Sequence, residues 1–129
     1  MEYIRVYREE LVPYEVYASQ NPGAAVSADV YLQIEGERPV MKSSSQLHAA
    51  YDRSSPYTIP YHATCLRYNT IGGETWSDNG QWIEWEFEVP EDGYYNISIK
   101  ARQTYQRGGL SCRTVYIDGE VPFDELSSV

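Results

Sequence analysis

The run over residues 81–100 restricts the fold more than any other part of the chain. Ile83, Trp85, Phe87 and Val89 alternate with Trp82, Glu84, Glu86 and Glu88; after Pro90-Glu91-Asp92-Gly93, Tyr95, Ile97, Ile99 and Ala101 alternate with Tyr94, Asn96, Ser98 and Lys100. Side chains that change face at every residue belong to a strand, because a helix would scatter the same residues around its axis. Two such series joined by a short proline and glycine turn predict an antiparallel hairpin with one apolar and one acidic face. In it Lys100 faces one of the three glutamates, a contact worth a few tenths to about one kcal/mol.

Shorter signals of the same kind flank it. Val30, Leu32 and Ile34 alternate with Tyr31, Gln33 and Glu35 until Gly36 and Pro39 end the pattern or bulge it. His62, Thr64, Leu66 and Tyr68 form another candidate strand, and Arg113, Val115 and Ile117 a third before the Asp118-Gly119 turn. Pro56 and Pro60 hold Tyr57-Thr58-Ile59 extended. Residues 41–55 read as a long polar connection packed by Leu47 and Tyr51, with a helical turn near His48 as the other option.

At the start, Tyr3, Val6 and Tyr7 fit either a short helix up to Pro13 or an edge strand, and Gln20-Asn21-Pro22-Gly23 is a break. Residues 1–28 are therefore expected to be a linker or accessory strand, and residues 29–129 the folded module. Five or six strands without a long helix predict an all-β domain. Sandwiches close their two inner faces with about seven strands or more, so the module is expected to be incomplete at its C-terminus, where only Pro122, Phe123 and Leu126 remain as apolar anchors. An uncovered edge would favour self-association.

Composition narrows the partners. The net charge is -9, from 19 acidic and 10 basic residues, and no basic stripe is present. Nucleic acid is excluded on that ground, since phosphate neutralisation supplies most of the affinity for it. Anionic membrane surfaces are disfavoured for the same reason, and no run of about 18 apolar residues offers direct membrane insertion. The first residues lack the basic-then-apolar order of a signal peptide. Neutral ligands, cations and basic proteins remain. Aromatic content is weighted to 13 Tyr and 3 Trp against 2 Phe, rings suited to strand faces and to binding surfaces that stay partly wet.

Catalytic chemistry is poorly represented, and the chain is not read as an enzyme. Ser43, Ser44 and Ser45 lie near His48 without a nucleophile elbow around them. Glu84, Glu86 and Glu88 could supply a glycosidase pair only opposite another carboxylate, and otherwise form a solvated face. Cys65 and Cys112 are either two small, buried or half-buried thiols or a disulfide, and with His48 and His62 they lack the spacing of a zinc site.

Two sets of residues stand out as binding candidates. Trp76 sits in a loop between Gly73 and Gly80, where an indole can face the C–H side of a sugar ring while Asn69, Asp78, Asn79, Arg102, Gln103 and Tyr105 are available to satisfy hydroxyls. The competing reading folds Trp76 back as a lid on the core. Glu35 and Glu37, with Gly36 between them, are either surface decoration or carboxylates converging for calcium, which takes six to eight oxygens.

Three stretches carry a family likeness. Tyr31-Leu-Gln-Ile-Glu35-Gly-Glu37, Gly80-Gln-Trp82-Ile-Glu-Trp85-Glu-Phe-Glu-Val-Pro90-Glu-Asp-Gly93-Tyr-Tyr95-Asn-Ile-Ser-Ile and Arg113-Thr-Val-Tyr-Ile-Asp118-Gly119 resemble the galactose-binding-like jelly rolls of carbohydrate-binding modules related to families 6 and 35. Tyr68-Asn-Thr-Ile-Gly-Gly73 with Trp76, and Ile117-Asp-Gly-Glu-Val-Pro-Phe123, are similar to a module of extracellular solute-binding lipoproteins of Firmicutes. The likeness covers residues 30–126. It implies a jelly-roll β-sandwich and a non-catalytic carbohydrate-binding module of a larger extracellular protein, attached to the cell surface through that parent. The implied ligand is an oligo- or polysaccharide near Trp76, Arg102, Gln103 and Tyr105. A structural calcium is implied at Glu35 and Glu37. The alternative is a structural or assembly domain that packs against the solute-binding part of the parent polypeptide.

Overall fold

The computed structural model describes residues 10–22, 25–26, 29–103 and 107–129. Its first element is α1, Tyr14–Gln20, which begins directly after Pro13. Proline's fixed φ suits a helix start, where its missing N–H leaves no bond unmade. The helix has no side-chain cap at its own N-terminal boundary residue. Glu125 takes that role from the far end of the chain, its Oε2 accepting from the Tyr14 N–H at 2.9 Å. Phe123 packs against the same helix, with ring centroids 5.1 Å from Tyr14 and 5.5 Å from Tyr17. The Asp124 N–H donates to the Val12 carbonyl at 2.8 Å. The closing 3-10 turn, Asp124–Ser127, is thereby docked on α1.

Four two-residue strands follow: β1 (Met41–Lys42), β2 (Ala49–Ala50), β3 (Thr70–Ile71) and β4 (Ile83–Glu84). β1 pairs antiparallel with β4, Met41 opposite Glu84 and Lys42 opposite Ile83. β2 pairs antiparallel with β3, Ala49 opposite Ile71 and Ala50 opposite Thr70. The connection between β1 and β2 carries Leu47, which is fully buried, and the Lys42 Nζ donates to its carbonyl at 2.6 Å.

Local turn chemistry is realised near the C-terminus. Ile117 and Glu120 exchange backbone hydrogen bonds of 2.8 and 3.1 Å across Asp118 and Gly119, which have φ of 52° and 83°. Positive φ at both central residues defines the tight hairpin turn that Asp-Gly favours. The segment before the turn runs beside the chain end: Arg113 and Val129 bond to each other through N–H and carbonyl at 2.9 Å both ways, and the Val115 N–H reaches the Leu126 carbonyl at 2.8 Å.

The all-β jelly-roll β-sandwich expected from the sequence is corrected by this arrangement. The described residues form one α-helix, two 3-10 turns and two separate, open two-stranded sheets, which do not stack or close into a jelly roll. The 81–100 hairpin is not formed either. Ile83–Glu84 pairs with Met41–Lys42 instead, and among the described residues neither 85–89 nor 96–102 makes a backbone hydrogen bond. Alternation states which face of a strand can be covered but does not name the neighbouring strand.

Competing partners draw the second half of the predicted hairpin away. Lys100 donates to the Tyr57 carbonyl rather than facing the glutamates. Tyr94 forms a parallel bridge with Val26, its N–H donating to the Ala25 carbonyl at 3.0 Å and its hydroxyl to the Asn21 carbonyl. The apolar rows consequently stay open, with Phe87 51%, Ile97 58% and Ile99 66% exposed. The accessible surface of 11508 Å² exceeds the about 7,000 Å² expected for a compact chain of this mass. Cys65 and Cys112 are both free and exposed, so neither occupies the buried or half-buried position expected of it. Among the described residues no helix is long and apolar enough to cross a membrane.

Candidate functional site

Trp76 ends the 3-10 turn Gly73–Thr75, and glycine makes that turn possible. Gly72 has φ of 89°, and a Cβ placed on it would stand 3.0 Å from the Trp76 Cε3. Any side chain at position 72 would therefore meet both an unfavourable backbone region and the indole. The Thr75 hydroxyl donates to the Gly72 carbonyl at 2.7 Å, tightening the same turn.

Gln81 then fixes the loop from the opposite side. Its Nε2 donates to the Thr75 carbonyl at 3.2 Å, its Oε1 accepts from the Asp78 N–H at 3.1 Å, and its carbonyl accepts from the Trp76 Nε1 at 3.4 Å. The half-buried indole thus makes one hydrogen bond, to Gln81, whose side chain ties the loop backbone on either side of Trp76. Gly73, Glu74, Trp76 and Ser77 line an open concavity of about 270 Å³. That is just below the roughly 300 Å³ at which small-molecule sites begin, a size for one ring rather than a long chain.

The Arg113 guanidinium lies over the indole, its Cζ 4.7 Å from the ring centroid. The contact has cation–π geometry, worth about 0.5–1 kcal/mol at an exposed site. Arg113 is itself exposed, and its Nη1 donates to the Cys112 carbonyl at 3.0 Å. It covers one face of the indole.

Asn69 and Arg102 belong to a second cluster, centred on Asp52. Asn69 is buried; its Nδ2 donates to the carbonyls of Asp52 and Pro60 at 2.9 and 3.1 Å, while its Oδ1 accepts from the Asp52 N–H at 2.8 Å. Arg102 forms an ion pair with the Asp52 carboxylate and donates to the Ser54 Oγ at 2.7 Å. Ser54 in turn donates its N–H to the Asp52 Oδ1 at 2.7 Å. These contacts with Ser54, through side chain and backbone, hold the Asp52 carboxyl below its usual range; partial burial opposes the shift and Arg102 adds to it.

The sequence-derived candidates thus fall in different places. Asn69 and Arg102 meet through Asp52, but no hydrogen bond or ring contact among the described residues joins either to Trp76. Gln103 bonds within its own loop, Nε2 to the Gly109 carbonyl at 3.2 Å. Tyr105 lies outside the described residues. The Ser43 Oγ accepts from the Trp82 N–H at 2.9 Å, joining the segments beside β1 and β4, and the Ser44 Oγ accepts from the Gln46 N–H at 3.2 Å within a turn.

Glu35 and Glu37 are half-buried, and the Glu35 Oε1 already accepts from the Gln33 Nε2 at 2.8 Å. Among the described residues no group of three or more His, Cys, Asp or Glu converges. Two carboxylates, one engaged by an amide, do not by themselves fit the six to eight oxygens of a calcium shell.

Sequence reasoning did not single out Asp52, Glu74, Ser77 or Arg113. Asp52 had a local signal, because an aspartate whose carboxylate accepts from the N–H two residues on is a recognisable turn former, here in Asp52-Arg53-Ser54. The meeting of Arg113 with Trp76 joins segments far apart in the chain and leaves no local trace.

Comparison with protein-family models, with curated proteins and with solved structures finds no match for this chain.

Proposed function

We propose that the chain is a non-catalytic carbohydrate-binding module of a larger extracellular protein, and that it recognises one sugar ring at Trp76. The observation that carries this reading is the oriented indole in the concavity of about 270 Å³ shared with Glu74 and Ser77. An aromatic face supplies apolar contact for the C–H side of a pyranose, and the Glu74 carboxylate and Ser77 hydroxyl supply an acceptor and a donor for its hydroxyls.

The loop is held before any ligand arrives, since Gln81 fixes it from both ends. Preorganisation of that kind lowers the ordering cost of binding. Arg113 is the exposed element that a ring displaces from the indole, after which its guanidinium stands at the rim as a charged donor. The likeness of the 68–73 motif and Trp76 to a module of extracellular solute-binding lipoproteins agrees with the same reading, without the jelly roll that the wider likeness implied. Screening the chain against an array of plant and host glycans tests it: retention of a family of related glycans is expected, and uniform absence of retention contradicts it.

A further inference from the structure

The segment directly after β4 carries backbone groups without a hydrogen-bond partner among the described residues. β4 is paired with β1 on one side, and beyond Glu84 the backbone over 85–89 makes no hydrogen bond among the described residues. Its sequence still alternates: Trp85, Phe87 and Val89 are the apolar positions, with Phe87 and Val89 exposed, and the intervening Glu84, Glu86 and Glu88 are exposed as well. Unpaired backbone that continues a strand, with an alternating apolar and polar sequence, can take up another strand, and main-chain bonds supply the affinity in such additions.

Charge decides which strand. Among the described residues none of the three glutamates has an ion-pair partner, the ion pair formed being Arg102 with Asp52. Several of the chain's own cations are engaged elsewhere. Lys42 is bound to the Leu47 carbonyl, Lys100 to the Tyr57 carbonyl, Arg53 lies over Tyr51, and Arg113 over Trp76. A second copy is a poor occupant, because antiparallel pairing of this segment with itself sets glutamate against glutamate between chains of net charge -9.

We propose that the unpaired 85–89 segment is a docking site for a basic β-strand of a partner protein, which adds by backbone pairing in continuation of β4 and places Lys or Arg opposite Glu84, Glu86 and Glu88. Its remaining side chains, being apolar, continue the apolar positions Phe87 and Val89. The site is separate from the Trp76 concavity and does not depend on sugar recognition there.

Fluorescence anisotropy of labelled peptides of about seven residues against the full chain tests the proposal. One probe alternates Lys with Val and Thr, a second replaces each Lys by Glu, and a third keeps the Lys residues but carries N-methyl groups at alternate amides. The Lys probe is expected to bind at least about tenfold more tightly than the Glu probe. N-methylation should abolish binding although the charge is unchanged. The combined Glu84→Lys, Glu86→Lys and Glu88→Lys variant should reverse the preference between the first two probes. Equal binding of the N-methylated probe overturns the proposal, because attraction to an acidic surface then suffices. It is also overturned by equal binding of the Lys and Glu probes, comparisons that need only the unaltered chain, or by a stable homodimer in light scattering that excludes the Lys probe.

Discussion

Asn69 clamps Asp52 on both sides of one residue, accepting from its N–H at 2.8 Å and donating to its carbonyl at 2.9 Å. A side-chain amide here does what a neighbouring strand would do, continuing the β2–β3 ladder past Ala50, whose carbonyl accepts from the Asn69 N–H at 3.0 Å. The same amide reaches the Pro60 carbonyl at 3.1 Å, so the 52–60 loop closes on a single buried side chain. Asn69→Ala removes all three bonds and leaves partly buried backbone groups unpaired. A loss of about 1–3 kcal/mol in urea unfolding is expected. Asn69→Asp, which lacks the donor to both carbonyls, should be destabilised comparably; unchanged midpoints for both variants would remove the clamp from the account.

Asp52 makes the stability of this loop depend on pH in one direction. Its carboxyl is held below the ordinary value of 3.8, chiefly by Ser54, with Arg102 assisting. A group with a depressed folded value contributes stability above its unfolded value and loses it as pH falls through the folded one. The difference in thermal midpoint between the unaltered chain and Asp52→Asn is therefore expected to be constant from about pH 5 to about pH 7 and to shrink below about pH 4. A difference that grows on acidification contradicts this assignment. Arg102 is 48% exposed in its side chain, so solvent already screens its share, and because the Ser54 hydrogen bonds lead the shift, added salt should alter the effect only slightly.

Gly72 is required by the indole it faces. Gly72→Ala adds a methyl group 3.0 Å from the Trp76 Cε3 at φ of 89°. About 1–2 kcal/mol of destabilisation is expected from the backbone alone, with a shift in tryptophan emission as Trp76 leaves its seat. A variant with unchanged emission and stability would show that the turn is not built around Trp76.

Features set by neighbouring residues were legible in the sequence, and features set by distant ones were not. The Asp118-Gly119 turn could be read because its two residues are those that accept positive φ side by side. Pro13 marked a helix boundary, although α1 follows it instead of preceding it. The strand pairs could not be read, because β1 and β4 bring together Met41 and Glu84 and nothing local distinguishes that pairing from Glu84 with the 95–101 series. In the candidate site, Trp76 and its glycines were evident from the loop, whereas Arg113 and Asp52 act through contacts across long stretches of chain.

Isothermal titration of the unaltered chain and of Trp76→Ala with the best glycan from the array tests the central claim most directly. Sugar recognition at Trp76 predicts measurable binding by the unaltered chain and at least about tenfold weaker binding by the variant, from loss of the aromatic face, with its circular dichroism spectrum unchanged. Binding of equal affinity by both proteins, or none by either, would contradict it.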